Sequence, residues 1–117
     1  MEQNIQIIKG KINNKTLRSF LGKPFDDMVK FVVDIEKKIV ALGGELHVDA
    51  EQILLESGSK QQNLWGGNIY PDQNNKTQLE YESLINIRPS QNNRSMEIQD
   101  EELKNQIKNI IEKLIEV

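Results

Sequence analysis

No cysteine occurs in the 117 residues, so disulfides, thiolate metal sites and cysteine nucleophiles are excluded together. Histidine occurs once, at His47, and any zinc-type centre would have to rest on that imidazole and carboxylates. No stretch approaches the roughly 18 apolar residues that a membrane-spanning helix needs. The opening segment Met1 to Lys9 carries an acidic residue at position 2 and lacks the apolar run of a signal peptide. These absences lead us to expect a cytoplasmic protein with no membrane contact. Positive charge is not in excess either: 15 basic residues against 18 acidic ones give a net charge of -3, which disfavours non-specific nucleic-acid binding. A local basic patch is still compatible with that sum. Glycine-rich phosphate loops, nucleophile elbows and spaced zinc ligands are missing as well. There is no internal repeat, low-complexity tract or linker, and the chain has the usual length of one domain, which we place at residues 1–117.

What remains is ordinary globular material, 37% hydrophobic and 28% charged, patterned well enough to place elements. Ile5, Ile7 and Ile8 predict a short strand. Asn13 or Asn14 then caps a helix with Leu17, Phe20 and Leu21 on one face, and Gly22 and Pro24 stop it. Between Phe25 and Leu42 the apolar residues fit both helical and strand spacing. The density of β-branched residues and the charged Glu36-Lys37-Lys38 favour a hairpin with strands near 28–35 and 39–47; one long helix closed by Gly43-Gly44 is the alternative. Asp49 caps a second helix that Gly58 ends, and Trp65, Ile69 and Tyr70 mark a further strand. From Leu79 to Arg88 strict alternation predicts a strand with Glu80, Glu82 and Asn86 on its polar face. Asp100 caps a last helix with an apolar stripe through Leu103, Ile107, Ile110, Ile111 and Leu114. The expected fold class is α+β: one mainly antiparallel sheet of about five strands with three helices, in the order β-α-β-β-α-β-β-α, helices packed on one face. The first six elements share the ferredoxin-like order, which hosts many functions.

Several blocks stand together in order: Val33-Asp34-Ile35-Glu36, Gly43-Gly44-Glu45-Leu46-His47, Gly58-Ser59-Lys60-Gln61, Leu64-Trp65-Gly66, Asn68-Ile69-Tyr70-Pro71, and Ile85-Asn86-Ile87-Arg88-Pro89-Ser90-Gln91 running on through Asn93-Arg94-Ser95. As a set they resemble a family of small prokaryotic proteins of unknown function, over residues 26–117. The resemblance implies one compact domain and no particular chemistry.

Three groups of residues carry chemical potential. Arg88, Ser90, Gln91, Asn92, Asn93, Arg94 and Ser95 place two guanidinium groups, two hydroxyls and three amides in one loop, a set able to converge on a phosphate or carboxylate. The same side chains would equally brace a turn and pair with Glu80, Glu82 or Glu97. Glu45, His47 and Asp49 alternate and would face one way on a strand, as an acid-base or metal-binding set, or His47 is simply structural. Glu80 and Glu82 form a carboxylate pair that either divides acid and base roles or lies on a solvated face. Trp65 and Tyr70 offer either a stacking surface or core packing. Three functions follow as expectations. First is a binding or interaction module with an anion-recognising loop at Arg88–Ser95, whose partners would be a small anionic ligand or a second copy of the chain. Second is a small hydrolase using Glu45, His47 and Glu80 or Glu82; third is a subunit of a larger assembly. The sequence does not specify a cofactor.

Overall fold

The structure, a computed structural model, describes residues 4–117. Strands β1 (Ile5–Ile8), β2 (Val29–Asp34), β3 (Ile39–Gly43), β4 (Leu64–Ile69) and β5 (Leu79–Glu80) form one antiparallel sheet in the spatial order β1-β3-β2-β4-β5. Helices α1 (Asn14–Arg18), α2 (His47–Glu56) and α3 (Glu101–Leu114) complete the α+β order expected from the sequence, and short 3₁₀ turns occupy Gln61–Asn63, Leu84–Asn86 and Pro89–Gln91.

The ambiguous region is the hairpin. Phe31 pairs with Leu42 and Val33 with Val40, and the loop between them is fixed by Asp34, whose Oδ1 accepts from the backbone N–H of Glu36 and Lys37 at 2.9 Å each. Helical and strand spacing coexist in this stretch because both faces of the central strand are buried: Val29, Phe31 and Val33 point one way, Val32 the other, all inaccessible to water.

The helices do not share one face, contrary to expectation. Leu17 of α1, Phe20 just after it, and Ile107 and Ile111 of α3 pack on Phe31, Val33, Val40, Leu42 and Trp65. Ala50 and Leu54 of α2 pack on the opposite face with Val32, Ala41 and Leu64. Connection chirality explains the split. The paths β1-α1-β2 and β3-α2-β4 each step two places in the same direction across the sheet, yet β1 and β3 run antiparallel. Right-handed crossovers in both must therefore lie on opposite faces. The strand order also departs from the ferredoxin-like one: β4 adds beside β2 instead of returning next to β1.

Caps agree with the sequence at two helices. Asn13 accepts from the Thr16 N–H and Asp100 from the Glu102 N–H, both at 2.9 Å. At α2 the expectation fails: the strand ends at Gly43, the helix already starts at His47 with Leu46 in the cap position, and Asp49 lies in the first turn. Its far end closes as foreseen at Gly58 (φ +107°), where the Gly58 and Ser59 N–H groups bond back to Leu55 and Leu54. The long strand expected from Leu79 to Arg88 is also shorter. Only Leu79–Glu80 joins the sheet, and Glu82 forms an isolated bridge with Glu97. From Ser83 onward the edge of β4 is covered by side chains instead of a backbone.

Candidate functional site

Those side chains are Asn86 and Arg88. The Asn86 carboxamide imitates a strand: its Oδ1 accepts from the Gly66 N–H and its Nδ2 donates to the Gly66 carbonyl, both at 2.9 Å, with a second donation to Met96 O at 3.1 Å. Arg88 is 8% exposed and its guanidinium faces inward. Nη1 donates to Gln61 O at 2.5 Å and Gln91 Oε1 at 3.2 Å, Nη2 donates to Leu64 O, and the group lies 3.8 Å from the centre of the Trp65 ring. Burial pulls this guanidinium below its ordinary value, and the carboxylate of Glu51 on α2 pulls it back. Burial pushes the Glu51 carboxyl up in turn, against the opposing effect of Arg88.

The loop that follows is bound just as closely. Asn93, also buried, donates from Nδ2 to the carbonyls of Asn86, Ser95 and Glu97 and accepts from the Gln99 N–H. Ser95 Oγ accepts from the Glu97 N–H at 3.1 Å. Ser90 and Arg94 are exposed. Of the seven residues expected to gather round an anion, Arg88, Asn93 and Ser95 turn polar atoms onto the protein itself, while Arg94 remains turned to solvent.

The second group separates differently. Glu45 is exposed, Asp49 half-exposed, and neither shares a face with His47, because α2 has begun by then. His47 is buried at the first position of the helix, and its Nε2–H donates to Gly67 O at 2.7 Å. A carbonyl can only accept, so this bond fixes the tautomer with Nδ1 unprotonated. Burial lowers the imidazole from 6.5 to about 4, outweighing the opposite pull of Gly67, Asn68 and Glu80. Beside it, Asn68 Nδ2 donates to Glu80 Oε1 at 2.7 Å and Tyr70 Oη donates to the same oxygen at 3.0 Å. Burial, with the Glu80 carboxylate adding to it, pushes the Tyr70 phenol up to about 12. His47 and Glu80 thus do come into one neighbourhood, through Asn68, a residue the sequence did not single out. Glu82 stays on the exposed bridge to Glu97. Among the described residues no three His, Cys, Asp or Glu side chains group to hold a metal ion.

The titration of His47 has a definite sign. The unfolded imidazole takes up a proton near pH 6.5, the folded one only near pH 4, so the contribution is complete above 6.5 and is lost as pH falls between those values. The loss should approach roughly 3 kcal/mol at pH 4. Urea denaturation at pH 7.5 and pH 4.5 measures it. His47→Gln keeps an N–H for the Gly67 carbonyl without the titration, and its stability should fall less over the same interval. Equal acid sensitivity in both proteins would place the effect elsewhere.

One surface feature was also not legible in advance. Leu84 is 71% exposed, Ile87 43% and Met96 37%, all carried by the segment that Asn86, Arg88 and Asn93 hold rigid. Leu46 and Val48, more than half exposed, flank His47. The two regions adjoin: a Cβ on Gly66 would meet Ser83 Oγ at 3.0 Å and His47 Cδ2 at 3.2 Å, which sets the start of α2 beside the residue preceding Leu84.

A family model described as a protein of unknown function, DUF5674, matches residues 6–114, and the chain belongs to that family. No curated protein and no solved structure matches it. Among the described residues no helix is long and apolar enough to cross a membrane.

Proposed function

We propose that this protein is a small interaction module that engages another polypeptide through the apolar side chains of Leu84, Ile87 and Met96, with Leu46 and Val48 at the margin. The observation that carries this reading is the contrast between what the segment displays and what holds it. Buried polar residues, Asn86, Arg88 and Asn93, are committed to fixing a loop whose large side chains point into water. Isolated exposed apolar residues are common on any surface, but a rigid cluster of them favours binding, because little entropy is lost on ordering it further. Arg94, exposed on the same loop, supplies a cation at the rim. The anion-recognising role expected for Arg88 finds less support, since both of its terminal nitrogens already donate to the protein. A second copy of the chain is the simplest partner.

The test is site-directed photo-crosslinking with a benzophenone side chain at position 84, and at Asn105 on the exposed side of α3 as control, in cells producing the protein. Position 84 should give a discrete adduct, of twice the chain mass if the partner is a second copy, and Ile87→Asp should weaken it by about tenfold or more, the size of a lost hot-spot contact. Adducts no stronger at position 84 than at 105 would end this reading.

A further inference from the structure

A second feature lies away from that surface, where the β2–β3 loop meets α3. Ile35, Ile110 and Leu114 form the apolar floor of a cleft of about 330 Å³, with Lys38 and Lys113 on its rim and Asn109 alongside. That volume is at the small end of ligand sites. Neither lysine has a carboxylate within ion-pair distance among the described residues, where Arg18 and Lys104 make the ion pairs. In a chain of net charge -3, this is a local concentration of unneutralised positive charge over an apolar floor.

The position of Lys38 is itself notable. Its backbone is left-handed (φ 57°), held there by the N–H bond to Asp34 O at 2.9 Å and by the carboxylate bonds of Asp34 to the loop. A residue with a Cβ is disfavoured relative to glycine in this conformation. The loop therefore carries a strained lysine, and strain of this kind concentrates where a side chain has to be aimed.

We propose that the cleft binds a free medium-chain aliphatic carboxylate, its chain on Ile35, Ile110 and Leu114 and its carboxylate between the ammonium groups of Lys38 and Lys113. Inorganic phosphate would leave the apolar floor unused; an uncharged chain would leave both lysines unpaired. The inference does not depend on the interaction surface proposed above.

Octanoate, 1-octanol and octylammonium present the same chain with three head groups, and all are used below their aggregation concentrations. Octanoate should raise the melting temperature in a saturable way and shift the methyl NMR signals of Ile35, Ile110 and Leu114, with little response to the other two. The Lys38→Gln/Lys113→Gln variant should melt within a few degrees of the parent and bind octanoate about tenfold more weakly, as expected for two surface charge pairs. Equal shifts with octanol, binding that survives the double substitution, or methyl shifts centred elsewhere would each overturn the proposal.

Discussion

Replacing Arg88 with alanine is expected to lower the stability of the fold by roughly 3–5 kcal/mol, the cost of removing one partner from a buried charged arrangement. Three losses combine. The carbonyls of Gln61 and Leu64 lose the guanidinium donors, Gln61 keeping only the Leu64 N–H; the face of Trp65 loses its cation; and Glu51, largely buried, is left without the positive charge that favours its ionised form. For a domain stabilised by about 5–15 kcal/mol this is a large share of the total. Arg88→Lys should recover little, since an ammonium cannot reach two carbonyls and lie flat on an indole at once. Arg88→Met combined with Glu51→Gln should recover more than Arg88→Met alone, because the second change removes the stranded carboxylate. Urea denaturation followed by circular dichroism measures the loss, and the fluorescence of Trp65, the sole tryptophan, reports the stacking directly. A midpoint unchanged in Arg88→Ala, with a lost response to anions, would favour the ligand-binding role that the sequence suggests for this loop.

The two roles were indistinguishable from sequence for a physical reason. Arg88-Pro89-Ser90-Gln91 and Asn93-Arg94-Ser95 contain donors that suit an anion and suit a backbone carbonyl equally well; which they meet depends on what lies beside them. Here it is the bare edge of β4, left open because β5 spans only Leu79–Glu80. Alternation of residue types from Leu79 to Arg88 reads as a strand, yet Ser83 turns the chain into a 3₁₀ segment by accepting from the Ile85 N–H, and beyond it the burial inverts: Asn86 and Arg88 are buried and Ile87 is exposed. The stripe of α3 and the caps at Asn13 and Asp100 were legible because each is decided by neighbours within a few residues. The placement of α2 on the far face, the burial of His47 and the contact of Asn68 with Glu80 depend on strand order and on where a helix begins, which no local pattern records. His47 shows this well. Read as part of a strand it joins Glu45 and Asp49; starting the helix three residues earlier turns it away from both and under the sheet edge, onto the Gly67 carbonyl.

Asn86 should prove nearly as demanding as Arg88, and in a way that separates its shape from its charge. In Asn86→Ala, the Gly66 N–H and the Gly66 carbonyl lose their partner inside the fold, and the Met96 carbonyl keeps only the Ser83 N–H. At roughly 1 kcal/mol for each bond, and more where water cannot replace it, the loss should come to about 3 kcal/mol. Asn86→Asp keeps the size and the acceptor for the Gly66 N–H but removes both donors and sets a carboxylate against two carbonyl oxygens. That environment raises the pKa of the introduced carboxyl above its unfolded value, since only its protonated form can donate. The variant should therefore be least stable near neutral pH and regain stability as pH falls through that raised value, the opposite sense to the acid loss expected from His47 in the parent. Hydrogen exchange gives the local readout: the Gly66 amide, protected in the parent, should exchange faster in Asn86→Ala and stay protected in Asn86→Asp at low pH. Since the same carboxamide fixes the turn between Leu84 and Ile87, crosslinking from position 84 should weaken in Asn86→Ala even under conditions where the rest of the fold is intact. If exchange at Gly66 is unchanged in Asn86→Ala, the side chain is not what closes the edge of β4, and the rigid display of Leu84 and Ile87 needs another cause.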